Sequence, residues 1–109
     1  MFSEIVLSCF IIATMSAGIA QAQQVGSAQD GLQFAREACA ECHLVDKTVG
    51  ESPNTDAPTF EAIAKTPGLT SMALAVALQT SHRAMPNIVV KSEDAQNITA
   101  YILSLREAD

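Results

Sequence analysis

The longest apolar stretch of the chain lies at its start. Residues 5–20 contain no charged side chain, and the stretch ends in Ala20-Gln21-Ala22. An uncharged segment of this length followed by a small-x-small pattern is typical of a secretory signal peptide, so we expect residues 1–22 to be removed after Ala22. The first four residues depart from the usual pattern because they include Glu4 and no basic residue. An uncleaved membrane anchor is the alternative, although the segment is short for a span and lacks flanking Trp, Tyr or basic residues.

The pattern at the other end of the chain predicts an amphipathic helix. It is expected to have Ser92 as its cap and to run to about Arg106. Its apolar residues are three and four positions apart, which places them on one buried face. These residues are Ile98, Tyr101, Ile102 and Leu105.

Three more short helices are expected between these segments. Each follows a serine or threonine, residue types that cap helix N-termini well. The predicted caps are Ser27, Thr59, and Thr70 or Ser71. The predicted helices run from Ala28 into residues 39–43, with Leu32, Ala35 and Ala38 facing inward, from Phe60 to Lys65, and from residue 70 or 71 to about Thr80. Residues 46–58 are rich in Gly, Pro, Asn and Thr and read as loop. Residues 88–90 form a brief β-favouring run that is too isolated to make a sheet, so the prediction is an all-α fold.

Composition limits the core that these helices can build. The full chain of 109 residues has a net charge of -6. Removal of 22 residues leaves 87, and their aromatic residues are Phe34, Phe60 and Tyr101. A chain this small with so few large side chains is near the limit for forming its own core, so we expect another group to fill the centre. The negative charge also argues against a nucleic-acid partner, because phosphate would be repelled.

Candidate chemistry is concentrated in Cys39-Ala40-Glu41-Cys42-His43. This is the C-x-x-C-H pattern by which c-type haem is attached. Thiols at positions i and i+3 lie on one face of a helical turn, so both can reach the two vinyl groups on one edge of a haem, and the next imidazole can bind the iron. A thioredoxin-like redox pair would need a neighbouring strand. A zinc site would need more ligands, and His82 is the one other histidine.

The second axial position of such an iron has two methionine candidates. Met85 precedes Pro86, which disfavours helical geometry and leaves the thioether in a loop, where it can be offered to a metal. Met72 lies in an apolar predicted helix, where a methionine usually packs in the core. We therefore predict His43 and Met85 as iron ligands. His82 is the alternative, and it would give a bis-histidine haem of lower potential.

From Asp30 to Leu105 the chain resembles the small monohaem class I cytochromes c of bacteria. The Met85-Pro86 pair is similar to the distal ligand segment of that family. Ala57-Pro58-Thr59-Phe60 resembles the family segment whose proline carbonyl accepts a hydrogen bond from the haem histidine, which makes Pro58 the candidate for that role here.

The resemblance also concerns the contact between the first and last helices. Gly31 is similar to the family glycine that allows these helices to cross closely, with Tyr101 as its expected partner. Ala35 departs from the pattern, because many relatives have an aromatic residue at that position, and Phe34 is its neighbour here.

These features imply a cytochrome c fold over residues 23–109, with three to four short helices around one covalently attached haem c. An iron bound by His43 and Met85 has no open position, which predicts an electron carrier of the periplasm and not an enzyme. The expected partners are redox proteins: a donor dehydrogenase or reductase and an acceptor oxidase or reductase. No membrane span is expected after cleavage.

Two alternatives for the function stay open. The chain could be the cytochrome subunit of a periplasmic dehydrogenase, or a haem-based sensor or peroxidase-like protein in which Met85 is a labile ligand. Four carboxylates lie near the motif. They are Glu37, Glu41, Asp46 and Glu51. If that side faces the partner, the partner surface is expected to be basic or apolar, and the alternative is that these carboxylates form a solvated, solubilising surface.

Overall fold

The computed structural model describes residues 26–80, 85 and 88–107. This part of the chain forms four α-helices and a short 3-10 helix, with no strand among the described residues, and the all-α prediction is confirmed. The elements are α1 (Ala28–Ala38), α2 (Phe60–Ala64), α3 (Ser71–Gln79), α4 (Ser92–Ser104) and the 3-10 turn Leu105–Glu107. The expected signal peptide and His82 lie outside the described residues. None of the described helices has the length and apolar character needed to cross a bilayer.

Three of the four helices begin at the caps that the sequence predicts. The hydroxyl oxygens of Ser27, Thr59 and Thr70 each accept a hydrogen bond from the backbone N–H three residues later, at 3.1 to 3.2 Å. The predicted cap of α4 is wrong. Ser92 is already the first helical residue, and the capping position belongs to Lys91, whose side chain makes no capping bond. Two carboxylates in the first turn of α4 stabilise its N-terminus instead, because their charge offsets the helix dipole.

The main packing contact of the fold is the crossing of α1 and α4. A Cβ atom added to Gly31 would lie 2.0 Å from the carbonyl oxygen of Asn97, so the two helices touch through their backbones. The backbone N–H of Ser27 also donates to Asn97 Oδ1 at 2.7 Å. The close crossing at Gly31 is therefore as expected, but Tyr101 as its partner is wrong. The partner is the Asn97–Ile98 peptide.

The apolar face of α4 forms the centre of the core. All four residues that the periodicity assigned to this face are buried, and Ile98 is completely inaccessible. Ala35 of α1 is also fully buried, and Phe34 packs partly buried against the same cluster. Phe60 of α2 and Leu74 of α3 complete the cluster from the other helices. These contacts join the four helices in one core.

Candidate functional site

The C-x-x-C-H motif forms a tight turn at the end of α1. The backbone N–H of Cys39 continues the helix by donating to Ala35 O at 2.8 Å. The N–H groups of Cys42 and His43 then both donate to Cys39 O, at 3.2 and 2.9 Å. The two cysteines are not joined in a disulfide, and burial raises the pKa of the Cys39 thiol. The turn therefore presents two free thiols next to an imidazole.

The imidazole of His43 is held on two sides. Its Nδ1 lies 2.7 Å from Pro58 O, and its ring packs against Phe60 with the ring centres 5.5 Å apart and a tilt of 57°. A carbonyl oxygen can only accept, so Nδ1 carries the proton and donates it to this bond. Nε2 is then the nitrogen with a lone pair that can bind a metal. Pro58 therefore lies beside His43, the histidine that the sequence predicts as an iron ligand.

The backbone after the motif is held by the loop and by α4. Asn54 N–H donates to Cys42 O at 3.1 Å, and Phe60 N–H donates to Leu44 O at 2.9 Å. The hydroxyl of Tyr101 donates to Val45 O at 2.6 Å, across 56 residues of sequence. Sequence reasoning did not find these contacts because most of them join backbone atoms, which have no signature in the residue types.

The two candidate methionines have different environments. Met85 is half-buried at a bend, and most of the residues around it in sequence lie outside the described part of the chain. Met72 is 76% exposed on α3, so the expectation that it packs in the core is wrong. Since α3 is apolar on all sides, its sequence could not indicate that Leu74 faces inward and that Met72 and Val76 face outward. The fold therefore brings four of the predicted site residues together: Cys39, Cys42, His43 and Pro58. Met85 belongs to a separate segment.

The charges near the motif are partly neutralised within the protein. The guanidinium of Arg36 donates to Asp46 Oδ1 from Nε at 3.0 Å, and this partner raises the pKa of Arg36 further. Glu37, Glu41 and Glu51 are exposed. The carboxylates available to a partner near the motif are therefore these three, with Asp46 already paired.

A shallow cavity of about 440 Å³ lies elsewhere, at the C-terminal end of α2. Its lining residues are Lys65, Thr66, Pro67, Gly68 and Arg106. Both basic side chains there have partners within the protein: Lys65 Nζ lies 2.8 Å from Glu61 Oε1, and Arg106 donates to Ala64 O and Leu69 O. These bonds attach the loop after α2 to the end of α4, and they describe a structural contact and not a ligand site.

The donor set of the motif suits a haem better than a simple metal ion. Among the described residues, no group of three or more His, Cys, Asp or Glu side chains is arranged to hold a metal ion. Two free thiols three residues apart match the two attachment points on a haem edge. Imidazole and thioether are both axial ligands that haem iron accepts, so His43 and Met85 have the right chemistry.

An all-helical fold with a C-x-x-C-H turn at the end of its first helix defines a c-type cytochrome, and the chain belongs to the small monohaem class I cytochromes c. It is 32% identical over 98 residues to cytochrome c-552 of Bradyrhizobium diazoefficiens. The match covers 90% of this chain and 91% of that relative. No family model and no solved structure matches the chain.

This membership confirms the cytochrome c fold that the resemblance implied. It makes the protein a c-type cytochrome of electron transfer, with haem c as its cofactor and other redox proteins as its partners.

Proposed function

We propose that this protein is a periplasmic carrier of single electrons, and that its one haem c is bound covalently by Cys39 and Cys42 with His43 and Met85 as axial ligands. The observation that supports this most directly is the turn at the end of α1. It places two unpaired thiols beside an imidazole whose Nδ1 already donates to Pro58 O. Only Nε2 of that ring is left for a metal.

Each of these side chains has a distinct task in the proposal. The two cysteines would fix the position of the cofactor relative to α1. The haem, when bound, would supply an iron that accepts and gives up one electron. The carbonyl of Pro58 orients the His43 ring and makes it more basic by accepting its proton in a hydrogen bond. The thioether of Met85 favours the ferrous state and leaves no position for a substrate, which supports a carrier over an enzyme.

Export is part of the same proposal. The uncharged segment 5–20 and the Ala20-Gln21-Ala22 pattern support cleavage after Ala22, which would make Gln23 the first residue of the mature protein. Cofactor attachment and cleavage can be checked together by the intact mass of the purified protein. The expected mass is that of residues 23–109 plus one haem. A chain that retains residues 1–22 would contradict cleavage.

The ligand assignment is tested by a spectroscopically monitored redox titration of the holoprotein, repeated under carbon monoxide. We expect a positive potential and no binding of carbon monoxide, because both axial positions are filled. Met85→Ala should lower the potential and admit carbon monoxide. Met72→Ala is the matched control, and it should change neither because Met72 is 76% exposed on α3.

Two outcomes would contradict the carrier proposal. Rapid carbon monoxide binding by the unaltered protein would indicate an open or labile position, as in a sensor or a peroxidase-like protein. A negative potential that Met85→Ala leaves unchanged would point to His82 as the ligand.

A further inference from the structure

The loop of residues 52–60 holds three consecutive residues of the segment 39–45, which includes the proposed haem-binding residues and is called the haem-binding turn. The first of the three, Cys42, accepts a hydrogen bond at its carbonyl oxygen from Asn54 N–H. The second, His43, donates from Nδ1 to Pro58 O. The third residue, Leu44, makes two bonds: its N–H donates to Ser52 Oγ at 3.0 Å, and its carbonyl accepts from Phe60 N–H. The position of the imidazole therefore depends on this loop.

One of these four bonds depends on a loop side chain. The other three use loop backbone atoms, which no substitution removes directly, whereas the bond to Leu44 N–H is made by the Ser52 hydroxyl. Ser52 is only 6% exposed, although most of the residues around it in the loop are exposed. A buried hydroxyl that accepts a backbone N–H is costly to remove, because the N–H then loses its partner.

The bond at Leu44 acts on the neighbouring histidine through the backbone. The peptide that joins His43 to Leu44 is planar, so an acceptor on its N–H fixes the orientation of the whole unit. This orientation determines how the His43 side chain leaves the backbone, and hence the 2.7 Å separation of Nδ1 from Pro58 O. A looser peptide would weaken the bond to Pro58, and the ring would become a weaker electron donor to a metal.

We propose that Ser52 is a positioning residue for His43, and that its hydroxyl tunes the reduction potential by fixing the peptide that follows the ligand. This inference rests on the proposed binding of iron by His43. A more basic imidazole stabilises the ferric state, so loss of the Ser52 hydroxyl should raise the potential.

The test compares variants of the full holoprotein. In Ser52→Ala we expect a potential shifted to a more positive value, together with displaced paramagnetic NMR signals of the His43 ring in the ferric protein. Hydrogen exchange at the Leu44 amide should become about tenfold faster, the effect of losing one net hydrogen bond. Thr66→Val is the matched control, because it removes a hydroxyl that bonds a backbone carbonyl on the exposed side of α2. It should shift neither the potential nor the His43 signals.

A second pair of variants covers the case in which Ser52→Ala does not fold. The side chains introduced by Ser52→Thr and Ser52→Val have nearly the same shape, but only threonine has a hydroxyl. The reduction potential of Ser52→Thr should therefore be closer to that of the unaltered protein. Equal potentials and equal His43 signals in this pair would overturn the inference, as would an unshifted potential in Ser52→Ala. Failure of the proposed function looks different, because the unaltered protein itself would then lack the spectrum of a His/Met-ligated haem.

Discussion

The crossing of α1 and α4 and the loop around His43 are held by different forces. At the crossing, Gly31 allows the backbones of α1 and α4 to touch, and Ala35 and Ile98 are completely buried. The close packing of the two helices therefore determines the stability of the crossing. The loop of residues 52–60 is mostly exposed, and hydrogen bonds to the backbone of the haem-binding turn hold it. The crossing should therefore be sensitive to added volume, and the loop to lost donors or acceptors.

Tyr101 connects the buried face of α4 with the haem-binding turn. Its ring lies on the buried face of α4, and its hydroxyl donates to Val45 O two residues after His43. The ring of Phe60 contacts the rings of both Tyr101 and His43, with its centre 6.3 Å from that of Tyr101 and 5.5 Å from that of His43. A change on the buried face of α4 can therefore reach the haem-binding turn through Tyr101.

The largest loss of stability is expected from Gly31→Ala. A Cβ there would lie 2.0 Å from Asn97 O, and neither helix backbone can yield without separating the pair. We expect the free energy of unfolding of the holoprotein to fall by about 3 kcal/mol, the upper range for overpacking a core. Guanidinium denaturation followed by far-ultraviolet circular dichroism measures this loss.

Gly68→Ala is the control for removing a glycine without a clash. Gly68 has a φ of +74°, and apart from its chain neighbours no atom of the described residues lies within 4 Å of an added Cβ. Its cost should be the backbone penalty alone, about 1 kcal/mol. If the two variants lost the same stability, the close contact of α1 and α4 would not be what stabilises the fold.

The buried face of α4 and the start of α1 could be predicted because their signals are local, whereas the close crossing at Gly31 came from the family resemblance. Buried positions on α4 repeat at helical spacing, and a Ser or Thr cap satisfies N–H groups only three residues away. The error over the partner of Gly31 has a different origin. The register between two helices depends on their angle and separation, which neither helix records in its own pattern, and the contact falls on Asn97 and not on Tyr101.

The loop was predictable only in part. Its composition indicated a loop, and the family resemblance alone selected Pro58. Ser52 could not be distinguished from the other serines and threonines, because its burial results from how the loop folds back on Leu44. The same limit applies to Met72, since a helix that is apolar on every side does not indicate which side faces the core.

A smaller effect is expected from Tyr101→Phe, which tests the link between α4 and the haem-binding turn. The ring can stay in place, but Val45 O loses a buried donor at 2.6 Å. The free energy of unfolding should fall by about 1–2 kcal/mol, the cost of leaving one buried group without its partner. Thr99→Val is the matched control, because Thr99 Oγ1 is buried and has no hydrogen-bond partner among the described residues. Its replacement should cost nothing, and an equal loss in both variants would show that the Tyr101 hydroxyl contributes no special contact.

The smallest effect should appear at alkaline pH, again through Tyr101. Burial raises the pKa of its phenol above the ordinary 10.0, and the nearby carboxylate of Asp46 acts in the same direction. Below pH 10 the phenol is neutral in both the folded and the unfolded chain. Above pH 10 the unfolded chain releases this proton first, so folding becomes less favourable until the folded phenol also ionises. Denaturation midpoints measured from pH 8 to pH 12 should therefore fall more steeply for the unaltered protein than for Tyr101→Phe. Parallel curves would mean that the hydroxyl does not link α4 to the haem-binding turn in the way its contact with Val45 indicates.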